Sequence, residues 1–549
     1  MEEEVNLGGF HIDVNRTLSH LKQDLRDDWF PDFLNYEDFL NPGIITESIK
    51  SNLEENFGRY EPGKCSIFNI PKSNFSVRYS IESNIVDRFV FQATASFLMK
   101  HLDSALSKRV LSYRLDTSDS SEREKYLIRH KIEQWKIFEG ITKYSIDSGS
   151  VLLITDILNY YENILISDVE IALCHLLKTC NAKGTLKVEL RCAVDTLVRC
   201  LKSWSFNGIV GLPQNRDASS FISNVVMCSI DEAMVNHGYE YFRYVDDIRI
   251  VCDDKYQARK ALKVLICELR RLGLNVNSKK TAIIENRDCQ EFKEFFSSEN
   301  ETIERIDSMF RSKSKYVIAR SLPLIAAYCK ELIDQKNTQQ RGFRFCIDRL
   351  EKLQRCENFN LGEEYFNTIA ADVIEALSEH AVTSDRFVSF LMSCKLNECN
   401  KLKLTDLMLD REKSIYSWQS FLLWRLLALQ GIRDDRLTET ALRIIDEEKY
   451  TPEVNSALIY LAKHYKASLS TNLLKSLEHN QCFLYQRALL IAFHEIDTKD
   501  VAPQILSYIV PVAKNTGRRI SASRFRGVYI SPLPTYNFKE IYDQLPKYE

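Results

Sequence analysis

Residues 241–252 read YFRYVDDIRIVC, with two adjacent carboxylates, Asp246 and Asp247, between two apolar halves. Aromatic and β-branched residues favour strands, so this stretch predicts a β-hairpin with both carboxylates at its tip. Adjacent carboxylates repel each other, and a fold that keeps both ionised usually holds a divalent cation between them. The alternative interpretation is a solvated Asp-Asp turn without chemistry.

Three further segments favour a chemical role for this hairpin. An apolar strand-like run over 151–155 leads into Asp156, residues 211–214 read GLPQ, and residues 272–281 read LGLNVNSKKT. In chain order, the four segments resemble motif A, the Leu-Pro-Gln block, motif C and the closing motif of a reverse-transcriptase palm. Their order within about 130 residues favours the palm over the solvated turn.

The carboxylates in these segments suit nucleotidyl transfer. That reaction uses two hard cations about 3.5–4 Å apart, and Mg²⁺ prefers carboxylate oxygens, so carboxylates from neighbouring strands must meet at one edge. The resemblance implies that Asp156 and Asp246 bridge two Mg²⁺ or Mn²⁺ ions and that Asp247 is a weaker ligand.

The resemblance also assigns residues to the nucleotide. Tyr161 matches the position that packs under the sugar and excludes a 2′-hydroxyl, whereas Tyr160 is interpreted as a core aromatic. Gln214 would lie against the incoming nucleotide, and Lys280 would lie near its phosphates, with a solvated Lys-Lys pair as the alternative. Asn215 stands where the block usually has glycine, and Asn tolerates the left-handed backbone that such a turn needs.

Upstream segments resemble the early blocks of bacterial reverse transcriptases and predict fingers. They lie at 77–80, 84–88 and 111–115. Arg78 or Arg114 could clamp a triphosphate, because guanidinium suits bidentate phosphate contact. Either could equally be a surface ion-pair partner.

Composition limits the class of protein. The 549 residues are 45% apolar and 27% charged, as is usual for soluble proteins of several domains. No apolar run reaches the ~18 residues of a membrane helix, and the acidic start is unlike a signal peptide. Fifteen Cys without zinc spacing indicate reduced thiols, so we expect a cytoplasmic protein without membrane contact. The resemblance to bacterial reverse transcriptases implies a bacterial source. A net charge of −3 indicates that any nucleic-acid contact is local.

The chain changes character near residue 300. Between 297 and 502 it has only three Gly and two Pro, and apolar residues recur at helical spacing. Thr451-Pro452 suits a helix start, and Val454, Leu458 and Leu461 follow on one face. We therefore expect an α+β protein, with reverse-transcriptase-like fingers and palm over 1–296 and an all-α, HEAT-like helical domain over 297–549.

A palm followed directly by a long helical domain resembles the abortive-infection (Abi) reverse transcriptases of bacteria and prophages. The resemblance implies a homo-oligomeric phage-defence enzyme that polymerises deoxynucleoside triphosphates without a template. Its primer would be a protein tyrosine, and its product single-stranded DNA joined covalently to the chain. Two alternatives stay open: a template-copying retron-type reverse transcriptase, and an inactive palm on a helical scaffold that binds phage components.

Overall fold

The computed structural model describes residues 4–117, 127–286, 289, 291–292, 301–357, 363–446, 451–465, 483–494, 516, 535–537 and 541. The chain divides into two compact units. Unit 1 comprises Met1–Pro31, Phe39–Ile67 and Ser80–Ser297, and unit 2 comprises Asp32–Asp38, Phe68–Tyr79 and Ser298–Glu549. Two short N-terminal segments therefore belong to the second unit, whereas the expected division placed everything up to residue 296 in the first.

The part of the chain before residue 300 is mixed α/β, as predicted. Its strands are β1 (Glu4–Asn6), β2 (His11–Asp13), β3 (Ser66–Pro71), β4 (Val77–Glu82), β5 (Val151–Asp156), β6 (Glu240–Tyr244), β7 (Asp247–Cys252) and β8 (Ala282–Ile284). Its helices are α1 (Val14–Asp24), α2 (Pro42–Glu55), α3 (Ile85–Leu102), α4 (Lys131–Asp147), α5 (Tyr160–Asn163), α6 (Ile166–Thr179), α7 (Thr185–Trp204), α8 (Asp217–Val226), α9 (Cys228–Asn236) and α10 (Lys255–Arg271).

A four-stranded antiparallel sheet organises unit 1. Its strand order is β6-β7-β5-β8, so the strand that ends at Asp156 lies beside the hairpin formed by β6 and β7. Every residue of β5 is buried, because strands pack on both sides of it and helices lie over the sheet. Ile146 of α4 packs with Leu152, Ile154 and Ile284 in one core cluster.

The second half is helical, as predicted. Its helices are α11 (Glu301–Arg311), α12 (Lys315–Asp334), α13 (Arg341–Gln354), α14 (Glu363–Ala376), α15 (Ser384–Ser393), α16 (Glu398–Leu409), α17 (Ser417–Leu429), α18 (Asp435–Asp446), α19 (Pro452–His464) and α20 (Phe483–His494). Two short strands, β9 (Cys356–Glu357) and β10 (Tyr536–Asn537), pair in parallel.

Alternate helices of unit 2 pack on each other. One row runs α13, α15, α17, α19 and α20, and a second runs α12, α14, α16 and α18. The arrangement as a HEAT-like array remains a prediction, since the sequence has no repeated motif. In the residues described, no helix is long and apolar enough to cross a membrane.

Candidate active site

Three carboxylates meet at one end of the central sheet. β5 and β7 are antiparallel, and their register places Asp156 opposite Asp247. Asp246 lies in the turn before β7, where its carbonyl accepts a hydrogen bond from the Ile157 N–H at 3.2 Å. The hairpin predicted from the sequence is therefore present, and its carboxylates lie beside the end of the strand that carries Asp156.

These carboxylates strongly affect one another. Burial, and then the charges of Asp247 and Asp156, raise the pKa of Asp246 to about 7. Burial and Asp156 also raise the pKa of Asp247, although Lys280 and Arg249 oppose the effect. The cluster therefore carries more negative charge than its surroundings stabilise, and a bound cation would reduce the repulsion among the carboxylates.

Lys280 provides one positive charge at this edge. Its ammonium group donates a hydrogen bond to Oδ2 of Asp156, and more than half of its side chain is exposed. Burial lowers the pKa of Lys280, but the hydrogen bond and charge of Asp156 outweigh this and raise it. The turn that carries Lys280 is fixed by the Asn277 N–H, which donates to the Asp156 carbonyl at 2.7 Å.

The donor set fits a divalent metal in chemistry, because all three groups are carboxylates that repel each other. Among the described residues, however, no three acidic, His or Cys side chains are already arranged as a metal-binding site. Asp156 instead contacts the Lys280 ammonium group. Binding of Mg²⁺ or Mn²⁺ would therefore require the carboxylates to turn toward the ion.

The turn between the two hairpin strands is strained and firmly supported. Val245 has φ of +56°, which is rare for a β-branched residue. Its N–H donates to Ser112 Oγ at 2.9 Å, and its carbonyl accepts from Arg243 at 2.9 Å. The fully buried Arg243 also donates to Asp231 at 2.7 and 2.8 Å and to Asn224 at 2.8 Å.

Sequence reasoning missed this support. The available signal was an arginine inside an apolar strand, because a buried guanidinium needs a carboxylate partner. Asp231 and Asn224 precede Arg243 by 12 and 19 residues, and the sequence does not show which acidic group pairs with it.

The two tyrosines after Asp156 differ in environment. Tyr160 is 3% exposed and donates to the Ser223 carbonyl at 2.7 Å, so its interpretation as a core aromatic is confirmed. The hydroxyl of Tyr161 is 2.9 Å from Ser220 Oγ. Burial raises the pKa of Tyr161, and the charges of Tyr113 and Asp246 add to the increase.

The Leu-Pro-Gln block lies beside Tyr161. The Leu212 N–H donates to the Tyr161 carbonyl at 2.9 Å, and the Gln214 amide donates to Glu162 Oε1 at 3.2 Å. Asn215 adopts φ of +56°, the left-handed conformation predicted for it. The block thus borders the same end of the sheet as the carboxylates.

The N-terminal region of unit 1 anchors this block, which sequence reasoning also missed. Asp28 binds Arg216 at 2.6 Å and Arg88 at 2.8 Å. Burial raises the pKa of Asp28, but these two guanidinium groups outweigh it and lower the pKa. Asp217 follows Arg216 and pairs with Lys131 at 2.7 Å, and its N–H donates to Asp24 at 3.1 Å.

The structure corrects the interpretation of Arg114 as a triphosphate clamp. Arg114 is 6% exposed, and its guanidinium binds Asp103 at 2.8 Å and the carbonyls of Ser107 and Val110 at 2.7 and 3.0 Å. Because these hydrogen bonds occupy the N–H donors of Arg114, its side chain stabilises the loop over 103–110 and is not available to bind phosphate. Arg78 lies in β4, within the segment that belongs to unit 2, and its role as a triphosphate clamp stays a prediction.

Residues 96–300 match the family described as reverse transcriptase (RNA-dependent DNA polymerase). This range contains the three carboxylates, the Leu-Pro-Gln block and Lys280. This segment of the chain is therefore a reverse-transcriptase domain by sequence. No curated protein matches the sequence.

Solved structures similar to this chain include telomerases from two Candida species. Apo telomerase from Candida tropicalis, truncated from its C-terminal domain, has 14% identity over 46% of this chain and 56% of that one, with a TM-score of 0.29. Apo telomerase from Candida tropicalis has 12% identity over 71% and 73%, with a TM-score of 0.30. Telomerase from Candida albicans in complex with a TWJ fragment of telomeric RNA has 12% identity over 79% and 69%, with a TM-score of 0.28.

Proposed function

We propose that the chain is a metal-dependent DNA polymerase that adds deoxynucleotides to a hydroxyl group. The observation that carries the proposal is the register of β5 and β7, which brings Asp156 and Asp247 together beside Asp246. In this role Asp156 and Asp246 hold two Mg²⁺ or Mn²⁺ ions, and Asp247 is the weaker ligand. When bound, the ions would lower the barrier by stabilising the charge that develops on the attacking and leaving oxygens.

The surrounding side chains would position the nucleotide. Tyr161 lies in α5, just after the strand that ends at Asp156, and would pack against the sugar so that its ring leaves no space for a 2′-hydroxyl. Gln214 would contact the nucleotide from the neighbouring block. Lys280 would exchange its contact with Asp156 for a contact with the triphosphate, because the triphosphate carries more negative charge than one carboxylate. The Lys280 side chain is more than half exposed and therefore accessible to it.

We further propose that synthesis is untemplated and primed by a tyrosine of the protein, as part of abortive infection. Two sequence features support this: the net charge of −3, and a helical region in place of a recognisable basic thumb after Thr281. A chain of this kind has little to hold a separate duplex, yet it needs an attacking hydroxyl. The product would be single-stranded DNA joined to one of the 25 tyrosines of a bacterial, homo-oligomeric protein.

A labelling experiment tests this function. Purified protein is incubated with Mg²⁺ and radiolabelled deoxynucleoside triphosphates, without template or primer, and analysed on a denaturing gel. Label should migrate with the protein as a high, heterogeneous band and collapse to the mass of the protein after DNase. Label that separates from protein, or that requires an added template, would support a retron-type enzyme instead. No incorporation under any condition would favour the inactive scaffold.

A further inference from the structure

The exposed face of α10 is the most basic helical surface of unit 1 that the function above does not use. The helix has six basic residues and one acidic residue, in a chain whose net charge is −3. Its apolar side is buried in the protein through Ala258, Ala261, Leu265 and Leu269. The opposite side exposes a stripe that we call the α10 stripe, formed by Tyr256, Arg259, Lys260, Lys263 and Arg270.

The basic side chains of the stripe pair with no acidic residue in the part of the chain that the structure describes. In the described residues, Lys255 pairs with Glu285 at 3.8 Å and Arg271 with Glu268 at 2.8 Å, at the two ends of the helix. The four basic residues of the stripe form no such pair within that same part of the chain. Their charge therefore remains available to an anionic partner.

An exposed aromatic ring accompanies these charges. Tyr256 is 60% exposed, and the guanidinium of Arg259 lies 5.9 Å from the centre of its ring. Single-stranded nucleic acids bind surfaces that combine spaced positive charges with aromatic rings on which bases stack. The α10 stripe has both elements on one face.

The stripe leads toward the carboxylates. β7 starts at Asp247 and runs away from the site, and a two-residue connection joins its end to the start of α10. The helix is about 25 Å long and packs on β5, β7 and α9 as the chain returns. The loop after the helix bonds to the catalytic end of β5, where the Leu158 N–H donates to the Asn275 carbonyl at 2.9 Å. Arg270 therefore lies at the catalytic end of the stripe and Tyr256 at the remote end.

We propose that the α10 stripe binds the single-stranded DNA product, with its basic side chains on the phosphates and Tyr256 stacked against a base. The identity of this ligand rests on the proposed function, because a DNA strand is the product of such an enzyme with or without a template. A basic helix can also bind an anionic membrane, but that mode requires a free apolar face. The apolar face of α10 is buried, so the structure favours nucleic acid.

Binding can be measured without synthesis. Fluorescence anisotropy with labelled oligo(dT) of 20 nucleotides, in EDTA and without triphosphates, measures DNA binding in the absence of nucleotide incorporation. K260Q/K263Q/R270Q should weaken binding on the order of 100-fold at 0.1 M salt and reduce the slope of log affinity against log salt by about 2. Y256A should weaken binding about tenfold without changing that slope.

A matched variant controls for net charge. Lys178, Lys183 and Lys187 are exposed lysines in and between α6 and α7, so K178Q/K183Q/K187Q makes the same change elsewhere in unit 1. It should bind oligo(dT) like wild type, and all variants should keep the wild-type melting temperature. Equal weakening by the two triple variants would contradict the proposal, as would wild-type binding by K260Q/K263Q/R270Q.

Two further arms distinguish other partners. If oligo(U) of the same length binds the stripe more than tenfold tighter than oligo(dT), the product assignment is wrong and the stripe holds RNA. If K260Q/K263Q/R270Q loses binding to phosphatidylserine vesicles while keeping oligo(dT) binding, the stripe is a membrane surface. Because these assays contain no triphosphate, a failure of untemplated synthesis leaves them interpretable, and DNA synthesis can persist even if the stripe binds nothing.

Discussion

Asp156 and Asp247 are register partners on the antiparallel strands β5 and β7, so the backbone itself holds their carboxylates on the same face of the sheet. A shift of one residue in this pairing would move one carboxylate to the other face. The buried apolar pairs behind them, Leu153 with Ile250 and Val151 with Cys252, oppose that shift. The geometry of the candidate site is thus coupled to the core of the sheet.

Replacing Asp246 with Asn should abolish nucleotide incorporation. The substitution removes a proposed metal ligand, which should cost several kcal/mol of transition-state stabilisation, or about 1000-fold in rate or more. The protein should keep its melting temperature, because the change also relieves repulsion with Asp247 and Asp156. Incorporation of labelled deoxynucleotides measures the effect, with Asp253→Asn at the far end of β7 as control. Activity within tenfold of wild type would exclude the metal-ligand role.

Sugar selection should depend on the ring of Tyr161. Tyr161→Ala removes the ring and should raise the use of ribonucleotides relative to deoxynucleotides about 10- to 100-fold. Tyr161→Phe loses the hydroxyl, including its contact with Ser220, but keeps the ring and should keep the wild-type ratio. Competition between the two nucleotide types measures the ratio. An unchanged ratio in Tyr161→Ala would show that Tyr161 is a core residue only.

Asp24 should make stability depend on pH. Burial, and then Asp217, raise the pKa of Asp24 to about 6, above the ~3.9 of an unfolded chain. The folded protein therefore holds this proton more tightly, and its free energy of unfolding falls as pH rises from about 4 to 6. Asp24→Asn removes this loss and keeps an oxygen that can accept from the Asp217 N–H.

The melting temperatures of wild type and Asp24→Asn should accordingly be similar at pH 4 and diverge up to pH 7. The variant should gain on the order of 2 kcal/mol at neutral pH. Asp27→Asn, at an exposed neighbouring position, should follow wild type throughout. A constant difference between Asp24→Asn and wild type from pH 4 to 7 would rule out the titration of Asp24 as the cause.

Arg487 should be essential to the stability of unit 2. Its guanidinium binds Asp38 at 2.8 Å and also binds Asp32, and Thr516 donates to Asp38 at 2.7 Å. Arg487→Met would leave two buried carboxylates without their cation and should cost about 3–5 kcal/mol. Arg436→Met removes an exposed ion pair with Asp434 and should leave the melting temperature close to that of wild type. Similar melting temperatures for the two variants would contradict this ranking.

A fragment that ends at residue 296 should be insoluble or inactive. Segment 32–38 belongs to unit 2, where Phe33 packs 6.0 Å from the ring of Phe421 and Asp38 binds Arg487. The fragment would expose these groups without their partners. Soluble expression and incorporation assays measure the outcome, and a soluble, fully active fragment would show that the helical half is an independent sensor.

Local patterns predicted the elements that lie close together in sequence. The hairpin over 241–252 followed from two β-prone halves around a polar pair, because alternation and turn chemistry act over a few residues. Asn215 was predicted to tolerate a left-handed backbone, and it adopts one. The helical second half followed from apolar spacing and the scarcity of glycine and proline. Each of these inferences depends on interactions within one element or one turn.

The tertiary structure decided which charged groups meet. Arg114 pairs with Asp103 within a loop of unit 1. Arg243 pairs with Asp231 next to the strained Val245. Arg487 pairs with Asp38, which lies 449 residues away in the sequence. A chain with 73 basic and 76 acidic residues allows thousands of such pairs, and local pattern does not select among them. Selection comes from burial, since a charge taken out of water must have its partner in place. The sequence by itself therefore determined the palm motifs and the helical class of the second half. Only packing determined which ion pairs hold the site and which N-terminal segments belong to unit 2.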